Sequence, residues 1–321
     1  MVPRRRMVVW ATAAVVVVGL VALAAVLAQR ERLYDRGFDT RVDDPAHRGD
    51  RPVVLYDEGH LNSHTADAAY RPFVDLMRND GYEVRRARGP FSAEVLAAAR
   101  VLVVVTARGA NDANDEPAFA EAEIAAIDRW VRGGGSLLLV TDHFPYGAAA
   151  ESLGRPFGIA MGKGLVEDAA HSDPQRGASH LVFERRTGLL RDHPIVRGRS
   201  ASEEVRRILT FTGQSLLGPP RSVPFLALSE AAIEYPPTSP RVVRENGDVR
   251  VSMDYGDPVS ASGRAQGIAL EAGSGRVVVL GEAGMLRAQV DRDGSRVGMN
   301  LPGYDNRRLA LNIVRWLSRV L

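Results

Sequence analysis

FAEAEIAAIDRWVRGGGSLLLVTDH (119–143) sets out a helix, a stop and a buried strand in one unbroken stretch. Ile124, Ile127, Trp130 and Val131 fall on one face of a helix over 117–131. Gly133-Gly134-Gly135 ends it. Ser136–Val140 (SLLLV) then reads as a strand covered on both faces, because no polar residue alternates with its apolar ones.

Working outward, the same rhythm recurs on both sides. Val101–Val105 (VLVVV) is a second buried strand, and Val53–Tyr56 and Tyr82–Arg86 are two more. Between them, Thr65–Asn79 places Ala69, Phe73, Leu76 and Met77 at helical spacing and stops at Asp80-Gly81. Ser92–Ala99 is a short helix with Ser92 as its cap. Towards the C-terminus come Ala265–Glu271, a turn at Gly273-Ser274-Gly275, the strand Arg276–Leu280 and a closing helix Asn306–Leu317 capped by Asp305. Strands that alternate with helices, over connections too long for hairpins, require a parallel sheet with helices on both sides. The expectation is a three-layer α/β sandwich with a mainly parallel, flavodoxin-like sheet. Residues 155–265 break the rhythm with Pro219-Pro220, Pro236-Pro237 and short strand candidates, and read as a β-rich insertion.

The N-terminus belongs to a different environment. A basic segment, 1–6, precedes an uncharged apolar run over 7–28, long enough to cross about 30 Å of hydrocarbon. This is read as a retained transmembrane anchor, with a cleaved signal as the alternative. Residues 29–51 are charged, lack apolar periodicity and read as a juxtamembrane linker to a domain over 52–321. The expected location is the cell membrane, with one span and the folded domain outside the cytoplasm. Forty-one basic and thirty-nine acidic residues leave a formal charge of +2, interspersed along the chain, so no nucleic-acid partner is expected. The absence of cysteine excludes disulfides, thiolate metal sites and thiol nucleophiles.

In an open α/β sheet, ligands bind beyond the carboxyl ends of the strands. Four strand ends here are densely polar. The first carries Asp57, Glu58, His60, Asn62 and His64; the second Thr106, Arg108, Asn111 and Asp112; the third Thr141, Asp142 and His143; the fourth Glu282. Singly, each is an ordinary cap or loop residue. Together they form one polar rim if the strands run parallel. Asp57, His60, Asp142, His143 and Glu282 are the candidates for chemistry, the carboxylates as base or ligand and the histidines as ligand or proton shuttle. Glu58, Asn62, His64, Thr106, Arg108, Asn111, Thr141 and Asn300 are the candidates for ligand binding.

VVLYDEGH (53–60), the 119–143 stretch, RDHPIVRG (191–198) and GRVVVLGEAGM (275–285) together resemble the class I glutamine-amidotransferase-like superfamily. The likeness runs nearest to uncharacterised membrane-associated members and trehalose-utilisation-type domains. Those amidotransferases use a cysteine nucleophile on a strand-to-helix elbow. Here the comparable strand ends in Thr141-Asp142-His143, so thiolate-dependent glutamine hydrolysis is excluded. No Gly-x-Ser-x-Gly elbow replaces it. The resemblance implies a domain that binds a small polar ligand or a membrane-protein partner on its rim. The alternative is a metal-dependent hydrolase, with His60, His64, Asp142 and His143 as candidate ligands of a divalent ion.

Overall fold

The computed structural model describes residues 34–109, 116–245, 248–291 and 293–321. Its central sheet has nine strands: β1 (Val53–Asp57), β2 (Glu83–Ala87), β3 (Ala99–Val105), β4 (Ser136–Val140), β5 (Ala160–Met161), β6 (Leu216–Leu217), β7 (Val223–Ala227), β8 (Ala265–Ala272) and β9 (Gly275–Leu280). They lie in the order β2-β1-β3-β4-β9-β8-β6-β5, with β7 also paired to β8. The helices of four or more residues are α1 (Arg71–Asn79), α2 (Ala93–Ala97), α3 (Glu121–Arg132), α4 (Tyr146–Gly154), α5 (Pro194–Arg197) and α6 (Asn306–Leu317).

Each buried strand sends alternate side chains to two cores. Val101, Val103 and Val105 join Phe73, Val74 and Met77 of α1 and Leu309, Ile313 and Val314 of α6 on one face. Leu102 and Val104 join Leu96 of α2, Ile127 and Val131 of α3 and Leu153 of α4 on the other. A continuous apolar run is what a strand needs when helices cover both its faces. The chain is therefore a mixed α/β protein around one large sheet.

The sheet is less parallel than its sequence implies. β2, β1, β3, β4 and β9 run parallel. β8, β7, β6 and β5 are antiparallel to their neighbours. The two-residue Gly273-Ser274 turn forces β8 and β9 into a hairpin, and the 155–265 stretch extends the same sheet through β5, β6 and β7. Gly275 is the tightest point. A Cβ there would stand 1.9 Å from Val131 O and 2.3 Å from Gly135 O, so the end of α3 meets β9 backbone to backbone. Gly275→Ala is expected to cost about 3 kcal/mol, the upper range for overpacking, in urea denaturation. Ser274→Ala, one residue away and exposed, should be near neutral.

Three local expectations change. The helix after β1 begins at Arg71, because residues 60–70 are drawn into contacts at the strand ends and Pro72 sits in the first turn. Asp305 makes no cap bond to α6; its Oδ2 accepts instead from the Arg206 and Arg207 amides at 2.8 and 3.1 Å. Residues 34–51, read as a linker, lie along the domain with Phe38, Val42 and Ala46 packed against the first core. Ser92 does cap α2, accepting from Val95 N at 3.4 Å. Among the described residues no helix is long and apolar enough to cross a membrane; the expected span at 7–28 lies outside them.

Candidate functional site at the carboxyl edge of the sheet

The parallel pairings bring the carboxyl ends of β1, β3, β4 and β9 to one edge. The polar residues gathered there separate into two clusters with different characters.

The first cluster follows β1 and is closed on itself. Asp57 is fully buried and accepts from His60 Nδ1 at 2.8 Å, Gly59 N at 3.0 Å and Asn62 Nδ2 at 3.1 Å. The other nitrogen of His60, Nε2, lies 3.0 Å from Glu123 Oε1 on α3. Glu123 also accepts from Phe91 N and Ala120 N at 2.8 and 3.0 Å. The imidazole packs against the rings of both Phe91 and Phe119, with centroids 5.1 and 4.4 Å away. Burial works against its charge, but hydrogen bonds and proximity to Asp57 and Glu123 outweigh it and raise the His60 pKa. This is a buried carboxylate–imidazole–carboxylate triad. Both ring nitrogens are engaged, which leaves neither for a metal ion or a substrate proton.

Nearby candidates serve the same loop. Asn62 accepts from His60 N at 3.0 Å and donates to Val105 O at 2.9 Å. Glu58 turns away, accepting from Ala66 N at 3.0 Å beside Arg86 and Arg88. Arg108 donates through Nε to Leu61 O at 3.0 Å. Asn111 and Asp112 lie outside the described residues.

The second cluster spans β3, β4 and β9. Thr106 ends β3 at φ 42°, an unusual backbone for a β-branched residue. Two hydrogen bonds hold it there: its N–H donates to Val140 O at 2.9 Å, and its C=O accepts from Ser63 N at 3.2 Å. Its hydroxyl lies 2.8 Å from His64 Nδ1. Burial, aided by Arg287, lowers the His64 pKa to about 3, so this imidazole stays neutral. Thr141 is buried and accepts from Gln214 Nε2 at 2.7 Å. Asp142 accepts from His143 N at 2.8 Å and Ala283 N at 3.1 Å. Glu282 accepts from Met285 N at 2.8 Å and from Gly284 N. Burial raises the pKa of Asp142, and burial together with Asp142 pushes Glu282 well up. The pair thus holds a proton to higher pH than an isolated carboxyl would.

His143 is the member of this cluster that meets solvent, its side chain 35% exposed. Nδ1 is directed to Phe144 O at 3.0 Å, with Tyr255 Oη 3.4 Å away, and Nε2 stands 3.6 Å from Asp142 Oδ1. Tyr146 Oη donates to Ser63 Oγ at 3.1 Å across the same edge. Asn300 does not join the rim. Its Nδ2 donates to Asp35 Oδ2 and Gln289 O at 3.0 and 2.9 Å and so fastens residue 35. Sequence reasoning missed Glu123, Gln214, Tyr255 and Arg287; each reaches the edge only through tertiary contacts, Glu123 from within the same 119–143 stretch that set the fold reading.

A zinc-type centre needs at least three converging His, Cys, Asp or Glu donors. Among the described residues no such group forms, and His60 is committed to its carboxylates, so the divalent-ion donor set read from sequence does not fit here.

No family model and no curated protein matches this chain. Solved structures do. The mmIFT52 N-terminal domain is similar with a TM-score of 0.58 at 12% identity, covering 83% of this chain and 97% of that one, which is a likeness of fold. A structure described as a ThuA-like protein from Parabacteroides merdae matches at TM-score 0.44 and 12% identity, covering 84% and 90% of the two chains. A second ThuA-like protein, from Bacteroides uniformis, matches at 0.41 and 14%, covering 88% and 95%. Scores of that size carry no argument about this chain. The likeness to mmIFT52 places the chain with that domain in fold alone.

Proposed function

We propose that this chain is a membrane-tethered, amidotransferase-like domain without glutaminase activity. In this reading it binds a small polar ligand, such as a carbohydrate or peptide, or a membrane-protein partner, at the carboxyl edge of its sheet. Residues 7–28 serve as the tether, and the folded part stands outside the cytoplasm. One observation supports binding over catalysis. Four of the five groups expected to do chemistry are bonded to one another or to backbone amides, His60 to Asp57 and Glu123 and both Asp142 and Glu282 to amides, and His143 is the exception. Groups held in this way organise loops. What faces outward is hydrogen-bonding capacity, from His143, Tyr146, Tyr255 and Ser63.

The test is thermal unfolding of the full chain in detergent against a panel of saccharides and short peptides. A true ligand at a hundred times its Kd adds about 2.7 kcal/mol of stability. That gain should disappear in His143→Ala and Tyr255→Phe, whose unliganded melting points stay near that of the parent. Divalent-ion-dependent hydrolysis of peptide or ester substrates, lost in His143→Ala, would replace this reading with the hydrolase alternative.

A further inference from the structure

Residues 34–47 run over the domain from one edge of the sheet towards the other. Asp35 N donates to Ala288 O at 2.6 Å. Ala288 lies five residues beyond Ala283, whose amide holds Asp142 at the candidate site. Tyr34 sits against the Arg71 guanidinium, 5.7 Å from its ring centroid, where α1 begins. Both contacts are at the carboxyl edge. From there the chain runs across the domain to the opposite edge. Arg307 on α6 donates to Asp39 O at 3.1 Å, and Asn79 at the end of α1 donates to Thr40 O at 2.7 Å. Arg199 and Arg315 hold Asp44 O at 2.7 and 3.1 Å. Ala46 N donates to Asp80 Oδ1 at 2.8 Å, beside the start of β2.

Tyr34, the first described residue, therefore stands at the carboxyl edge, and the apolar run that ends at Ala28 precedes it in the sequence. Only residues 29–33 intervene, and five residues span at most about 18 Å when fully extended. Two of the exposed large apolar side chains lie at this same edge, Leu61 at 56% in the loop after β1 and Val290 at 37% at the end of a short strand over Ala288–Val290. The amino edge is one strand length further away, and six-residue β9 alone measures about 20 Å.

We propose that the carboxyl edge faces the bilayer and that its rim meets the phospholipid headgroup layer. The proposal rests on the tethered binding domain described above and adds its orientation. A rim so placed receives its ligand at headgroup level, and the amino edge faces away.

The experiment uses the full chain in nanodiscs whose lipids carry a nitroxide on the headgroup. The chain has no cysteine, so Val290→Cys and Ser274→Cys each accept a single fluorophore, at the carboxyl and amino edges respectively. Quenching should be several-fold stronger at position 290 than at 274. Equal quenching, or stronger quenching at 274, overturns the orientation. Recovery of the chain outside the disc fraction overturns the tether and the orientation together. Saccharide and peptide binding in detergent is read without any bilayer, so failure of the binding reading is seen separately.

Discussion

Arg315→Met should lower the unfolding free energy by about 3–5 kcal/mol, the cost of breaking a buried ion pair from one side. Arg315 is 1% exposed on α6. Its guanidinium forks onto Asp80 at 2.8 and 2.7 Å and reaches Glu203 at 2.7 Å. Met fills much of the volume but leaves Asp80 fully buried without its cation. Glu203 keeps Arg199, which limits the loss on that side. The network also anchors residues 44–46 through Asp44 O and the Asp80–Ala46 bond, so amide exchange there should accelerate in the variant. Equilibrium urea denaturation measures the first effect and hydrogen exchange the second. A loss under about 1 kcal/mol would show that water reaches this network.

His60→Leu should be comparably costly near pH 6, because it leaves Asp57 and Glu123 in an apolar setting with no positive partner. The effect depends on pH in a defined direction. The folded-state pKa of His60 is raised above the unfolded value of about 6.5, so the folded state binds the proton more tightly. The resulting stabilisation is complete below about pH 6.5 and is lost as pH rises through the higher folded value. The difference between parent and His60→Leu should therefore shrink on going from pH 6 to alkaline pH. Denaturation midpoints across that range decide it; a difference that grows with pH would mean the imidazole is neutral in the fold.

His60 also marks the boundary of what could be read in advance. Its position at a polar strand end, next to Asp57, was legible because both lie within four residues. Its second partner, Glu123, is sixty-three residues away and sits on a helix face chosen by the packing of Ile127 and Val131. A histidine with one carboxylate resembles a site; with two, and two phenylalanine rings, it is a buried carboxylate–imidazole–carboxylate triad. Residues 34–51 teach the same lesson. Their charge and lack of apolar periodicity gave the appearance of a linker, yet Phe38, Val42 and Ala46 pack on the core without forming a helix.

From the sequence alone came the alternation of covered strands and amphipathic helices, the parallel run from β1 through β3 and β4, and the edge on which polar groups collect. Those features depend on local periodicity and on the need to bury both faces of an apolar strand. Sequence also determined that no thiolate chemistry operates here, since cysteine is absent. The tertiary structure decided which polar groups spend their hydrogen bonds on one another, that the 155–265 stretch joins the central sheet through β5, β6 and β7, and where residues 34–47 lie on the domain. These depend on pairs far apart in the chain, such as Asp80 with Arg315 or Asp35 with Asn300, and no local pattern encodes such a partner.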